Sequence, residues 1–387
     1  MRKSIGGLIA TLLVTPAAAL AQSDDVQLRF RATLYADSAV SGDADGAIQF
    51  SGRLDGFLTW SNVWAGATLS AQLEVAGGDD ITELKSGLAW PSNVYSIAPR
   101  ALADTNATLS VNLTQELSPS TRLSIGKFSA TEMARGTPLA GGGDLGGFLY
   151  TGIAATPSLV FPPYALGALL SVTTDPVNYS LFIYDARNAQ GSDFWKKPFS
   201  EGIVYNASAT YKTTIGNLPG FYTLNVAHST AEATDLDSLL LPPDAADFAS
   251  TTRGITYVAL KFQQYLSVDP TTPGGGWGIF GQIGIGDGNP HLLDANYVLG
   301  VGGTSPIQGR GRDRWGIALS YTDWSRALID ALNANNLDLD DEYGMEAFYE
   351  AEITDSLRVG VNAIYLDPAT PTAKEYVQIG MRLRISF

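Results

Sequence analysis

The 387-residue chain contains no cysteine and only two histidines. Without cysteine there is no disulfide framework, no thiolate nucleophile and no sulfur ligand for a metal. The histidines, His228 and His291, lie in separate segments, so a histidine-rich metal site is excluded as well. No Gly-x-Ser-x-Gly elbow occurs. Gly141-Gly142-Gly143-Asp144 lacks the strand–helix frame and the Lys-Ser/Thr of a phosphate loop. Carboxylates are abundant, which makes any glycosidase-like pair uninformative. These absences argue against an enzyme and against any cofactor or metal.

Basic residues are also scarce, 24 against 39 acidic. Nucleic-acid binding rests largely on phosphate neutralisation by Lys and Arg, so no nucleic-acid partner is expected. Beyond residue 21 no apolar run approaches the 18 residues that a spanning helix needs; the best candidate, 158–172, holds two adjacent prolines and a glycine. A helical membrane protein is excluded.

What is present begins with Arg2 and Lys3, an apolar stretch Ile5–Val14, and a small-residue run ending Ala19-Leu20-Ala21. This is the layout of a secretory signal peptide with cleavage before Gln22, and Pro16 argues against a membrane anchor. The expected organisation is a signal peptide over 1–21 and one domain over 22–387. Removing Arg2 and Lys3 from the 24 basic residues leaves 22 against the 39 acidic ones. No linker interrupts the rest of the chain.

The terminal segment sets Val377, Ile379, Met381, Leu383, Ile385 and Phe387 on one face and Gln378, Gly380, Arg382, Arg384 and Ser386 on the other. Period two sustained over eleven residues is a half-polar strand, longer than the five or six residues usual in soluble proteins and long enough to cross a bilayer at a tilt. The pattern recurs at 27–34, 46–60, 63–76, 104–117, 119–129, 164–174, 176–186 and 202–214. It continues at 219–229, 251–264, 275–286, 296–303, 312–323, 342–353, 355–366 and 374–387.

Sixteen such strands predict an all-β fold, a closed transmembrane antiparallel barrel wide enough for an aqueous channel. Closure is required because lipid cannot satisfy the backbone groups of an open edge. Short polar or proline turns (118–120, 174–176, 354–356) alternate with long connections at 77–103, 130–163, 187–201, 230–250, 324–341 and 287–311, the last enclosing the 296–303 segment. Short periplasmic turns and long extracellular loops are the outer-membrane arrangement. Within 324–341, a Ser at a cap position followed by Ala327, Leu328 and Leu332 predicts a short helix over Ser325–Asn335.

The polar parity of each strand should face the lumen. That assigns Arg29, Arg31, Arg53, Arg122, Glu346, Glu350, Arg358, Arg382 and Arg384 as candidate solute-facing residues, with Glu342 and Glu352 on the same parity as Glu346. Guanidinium and carboxylate groups suit sugar hydroxyls, which both donate and accept hydrogen bonds; the same groups also serve as ladders that hold neighbouring strands together. Trp60, Trp64, Tyr184, Tyr205, Tyr211, Tyr257, Trp315, Tyr321 and Tyr365 lie near strand ends and read as interfacial girdle anchors. Trp90, Tyr95, Phe148, Phe161, Phe194 and Trp195 lie in loops and are candidates for stacking on pyranose rings.

The stretches Gly276-Trp277-Gly278-Ile279-Phe280, Gly286-Asp287-Gly288-Asn289-Pro290 and Arg310-Gly311-Arg312-Asp313-Arg314-Trp315-Gly316 resemble the carbohydrate-selective porins of Gram-negative outer membranes, the OprB-like or glucose-porin family. Glu346-Ala347-Phe348-Tyr349, Leu366-Asp367-Pro368 and the strand ending in Phe387 resemble it too, so the likeness spans roughly 250–387, with a weaker match at Leu123–Phe128. The chain departs from the family after Asp367-Pro368, where Ala369-Thr370-Pro371 replaces the usual Gln and Asn-Pro-Gly turn. The resemblance implies a sixteen-stranded pore with inward-folded loops, a charged and aromatic eyelet, and passive diffusion of small sugars such as monosaccharides. Alternative readings are a general or anion-preferring diffusion porin, or a structural barrel whose loops bind an outside partner. Expected partners are outer-membrane lipid and lipopolysaccharide, the transported sugars, and the barrel-assembly machinery reading the strand that ends in Phe387. Assembly as a homotrimer is left open.

Overall fold

The computed structural model describes residues 25–387 apart from 44, 80, 82–88, 98–105, 134–138, 141–145, 192, 241–249 and 273. The signal-peptide expectation for residues 1–21 lies outside the described residues. Sixteen antiparallel strands form one closed barrel. They are β1 (Val26–Ala39), β2 (Ile48–Ser61), β3 (Ala67–Gly78), β4 (Ala107–Ser118), β5 (Thr121–Ser129), β6 (Tyr164–Thr173), β7 (Val177–Asp185) and β8 (Ile203–Ile215). Then come β9 (Leu218–Thr234), β10 (Thr251–Val268), β11 (Gly276–Gly286), β12 (Leu293–Thr304), β13 (Arg314–Trp324), β14 (Glu342–Thr354), β15 (Leu357–Asp367) and β16 (Tyr376–Ser386).

Each strand pairs with its sequence neighbours, and β1 pairs with β16, so no spanning strand is left with an open edge in lipid. The seam runs from Arg31↔Ser386 to Ala39↔Gln378. It ends in reciprocal backbone bonds between Phe30 and Phe387, at 2.7 and 3.0 Å, with the two rings stacked at 6.0 Å.

Alternation along each strand separates the two faces. On β16, Ile379 and Met381 are exposed on the outer wall while Gln378, Arg382 and Arg384 are buried within. The outer face of a soluble protein could not carry so many exposed aliphatic side chains; here they meet lipid. The girdle expectation holds in position for Trp60, Trp64, Tyr205, Tyr211 and Tyr365, all exposed, and Tyr321 stacks between Tyr297 and Tyr343 at 5.8 and 4.8 Å. Trp315 packs beside Trp277 and gives its indole N–H to the Thr304 carbonyl at 3.1 Å. Tyr184 and Tyr257 are not girdle residues. Both are buried on the inner face with Phe128, Val160 and Phe182, because their strand parity points them inward.

Turns of 2–9 residues close one rim, and the other rim carries connections of 6–34 residues. The segment 287–311 is not one long loop: β12, expected over 296–303, divides it and runs over Leu293–Thr304. Helix Arg326–Ala334 forms where expected, with the Ser325 side chain accepting the Leu328 N–H.

Candidate functional site

The charged inner wall spans β1–β3 and β14–β16. Register aligns Arg53, Thr33, Arg384, Arg358 and Glu352 across β2, β1, β16, β15 and β14, and Glu74, Asp55 and Arg31 across β3, β2 and β1. Arg384 and Arg358 stand directly opposite, a like-charge pair that would repel if left alone. Glu350 resolves it: its carboxylate lies 2.6 Å from Arg384, 3.7 Å from Arg358 and 3.9 Å from Arg382. On the other side Asp55 takes Arg53 at 2.7 Å and Arg31 at 3.4 Å, Gln72 adds an amide N–H at 3.3 Å, and Arg53 also pairs with Glu74. Closing β1 against β16 thus joins an arginine cluster that is distant in sequence.

These groups are mostly buried. Arg53, Arg382 and Arg384 are covered, Glu350 and Asp55 fully so, and Arg31 retains only an edge. Arg29 lies exposed at the short-turn rim, and Arg29 and Arg31 flank the Phe57 ring at 5.7 and 5.1 Å. Arg358 is partly exposed and pairs with Glu352 near the same rim. Arg122 is far from the cluster, solvent-exposed on the β4–β5 hairpin with Glu116 at 3.0 Å.

The expectation of a solute-facing Glu346 gives way to another role. It is fully buried, and its oxygens accept the backbone N–H of Leu149 at 2.9 and 3.0 Å and of Tyr150 at 2.9 Å. Glu342 treats the other inward loop alike, taking the Trp90 N–H at 3.0 and 3.1 Å and the Tyr150 hydroxyl. Arg382 donates to the Gly147 carbonyl at 2.6 Å. Segments 89–97 and 146–163 of the two long connections therefore lie inside the barrel, each held by wall charges at backbone groups of its own. They are also tied to each other through Thr151 to Pro91 at 2.8 Å and Val94 to Leu149 at 2.9 Å.

Two of the loop aromatics are anchors rather than open stacking faces. Phe148 is buried between Phe348 and Phe280, at 4.8 and 5.7 Å, and Tyr95 is buried with its carbonyl toward Arg53 at 3.4 Å. Trp90 stacks on Trp324 at 5.4 Å and bonds Thr322 at 3.2 Å. Trp195 alone of the four is open, 54% exposed in the loop after β7 with its ring edge-on to Phe194. His291 has a structural role as well: it caps Leu293 N–H and meets the Ser158 carbonyl at 2.7 Å, fixing the far end of loop 130–163.

The facing wall has a different chemistry. Its inward positions pair hydroxyls and amides: Ser180 with Ser208 at 2.7 Å, Thr210 with Thr223 at 2.9 Å, Asn225 with Asn206 at 2.6 Å. The alternation gave no reason to single out this wall or Lys261, because single polar residues at inward parity are ordinary for a porin strand. The arrangement offers a narrowed aqueous path between a charge-compensated wall and a neutral hydroxyl wall.

A closed sixteen-stranded barrel with a lipid-facing exterior, a polar interior and loops folded inward is an outer-membrane porin, a passive channel for small solutes. Residues 151–387 match the family model of the carbohydrate-selective porins, OprB family, and the chain belongs to that family, which is one of channels and not of enzymes. The match reaches well upstream of the 250–387 stretch that carries the resemblance. Among solved structures, the high-pH structure of Pseudomonas putida OprB is similar, with a TM-score of 0.80 over 99% of this chain and 97% of that one at 14% identity. The low-pH structure of the same protein aligns with a TM-score of 0.53 at 13% identity over 99% and 96%. At such identity the likeness is one of fold. No curated protein matches in sequence.

Proposed function

We propose that this porin passes small sugars, monosaccharides among them, along the path between the arginine–carboxylate wall and the hydroxyl–amide wall. The observation that carries the reading is the docking of segments 89–97 and 146–163 on Glu342, Glu346 and Arg382, which narrows the lumen to a polar slot. Arg31 and Arg358, with open edges on the charged wall, set the field along the slot and exchange hydrogen bonds with hydroxyls; Arg29 and Arg122 act at the mouth. Contacts must stay weak, since a pore that holds its solute conducts badly. Ions share the path. We further propose that residues 1–21 direct export, that the assembly machinery reads the strand ending in Phe387, and that lipopolysaccharide surrounds the outer wall; three barrels side by side would bury part of that wall.

Liposome swelling with glucose, compared with a neutral non-sugar solute of equal size, tests the reading, and planar-bilayer current with and without glucose supports it independently. Faster entry of glucose and a glucose-dependent drop in current are expected. Equal entry without current block would favour a general diffusion porin instead.

A further inference from the structure

We infer that Lys261 is a specificity-determining residue that tunes this pore toward sugars bearing a carboxylate. The inference rests on the sugar-pore reading and names its solute class. Lys261 lies on β10 with the parity of Tyr257, Ala259 and Gln263, which face the interior, while Val258 and Leu260 face lipid. Among the described residues it is solvent-exposed and has no ion pair or hydrogen bond. That sets it apart from the arginines of the opposite wall, which are bound to Asp55, Glu74, Glu350 or Glu352.

Among the described residues, the neighbouring strands provide no compensating charge. The only carboxylate on β8–β11 is Glu232, which is bound to Arg253 at 2.5 Å. Directly across from Lys261 stand Thr223 on β9 and Gln282 on β11, with Thr210 and Asn225 beyond. The described parts of the inward loop reach β10 on either side of Lys261, which is itself exposed. Val160 belongs to the buried cluster of Tyr257 and Ala259 on one side, and the Leu139 N–H bonds Gln263 at 3.1 Å on the other. A solute moving past the loop therefore meets an ammonium flanked by hydroxyl and amide groups.

Those groups suit the hydroxyls of any sugar; the ammonium distinguishes one that is also an anion. A carboxylate fits better than a neutral hydroxyl because it supplies the charge the wall lacks. In a water-filled lumen the attraction is modest: at a dielectric of about 80 and a separation of roughly 5 Å it corresponds to about fourfold in occupancy. Such weakness is compatible with flux, and added salt screens it.

The test uses the full-length porin in proteoliposomes, measuring glucuronate and glucose uptake side by side at low ionic strength. The wild type should favour glucuronate, and its preference should shrink at high salt. Lys261→Gln should lower the glucuronate-to-glucose ratio about fourfold while glucose uptake is retained, and Lys261→Arg should keep the wild-type ratio. Heat-modifiable gel mobility certifies that each variant is a folded barrel. An unchanged ratio in folded Lys261→Gln, or a wild type that favours glucose, would overturn the inference and leave the sugar pore standing. Conductance of KCl with passage of neither sugar would overturn the sugar-pore reading itself, and the inference with it.

Discussion

Replacing Glu346 by Gln should loosen the inward loop without disturbing the barrel. Two backbone N–H groups, of Leu149 and Tyr150, point at the carboxylate. Hydrogen bonds to a charged acceptor contribute about 1.5–3 kcal/mol each, and neutral ones about 1. The amide of Gln retains one acceptor oxygen and turns an NH2 toward donors, so a net loss of about 2–3 kcal/mol in docking is expected. At 1.4 kcal/mol per decade this shifts the docked-to-undocked ratio by roughly 30- to 150-fold. Phe148, wedged against Phe348 and Phe280, still opposes release, so adding Phe148→Ala should complete it. Gly344→Ala reaches the same end without touching charge, since a Cβ there would lie 2.1 Å from the Tyr150 ring. In planar bilayers all three changes should raise single-channel conductance and open-level noise and weaken block by glucose, with heat-modifiable mobility intact. Wild-type conductance and block in both Glu346→Gln/Phe148→Ala and Gly344→Ala would refute the claim that this loop narrows the pore.

Other outcomes follow from the two faces of the wall. Leu383→Arg places a charge between Met381 and Ile385 on the lipid side, at about 2–4 kcal/mol near the midplane, and should reduce the folded, heat-modifiable fraction. Arg53→Gln strands Asp55 and Glu74 in the interior; the loss should reach about 3–5 kcal/mol, read as a lower urea midpoint in detergent or lipid. Arg122→Gln is the control: its partner Glu116 is as exposed as it is, and the same assay should register less than about 1 kcal/mol. Equal effects of the two would mean that the Arg53 cluster contributes no more than a surface pair.

The sixteen strands were legible because a lipid-facing side chain every second residue leaves a periodic trace that needs no partner to be read. The trace faded where that pressure ends. β1 runs on to Ala39, β9 to Thr234 and β10 to Val268, beyond the predicted 34, 229 and 264. β12 starts at Leu293, three residues before the predicted 296.

The sequence by itself determined the class, the closure and the parity of nearly every wall residue, Arg31, Arg382 and Glu346 included, because each depends on local alternation and on the bilayer's demand for satisfied backbone. Tertiary structure alone decided what those side chains touch. Glu346 meets residues 149 and 150, and Trp90 meets Glu342 and Trp324, across nearly two hundred positions or more, since the barrel brings a loop's backbone to a distant strand. Periodicity records the side of a wall on which a residue lies. Whether a charge there is compensated, as at Glu350, or left open, as at Lys261, depends on what the neighbouring strands and inward loops set beside it.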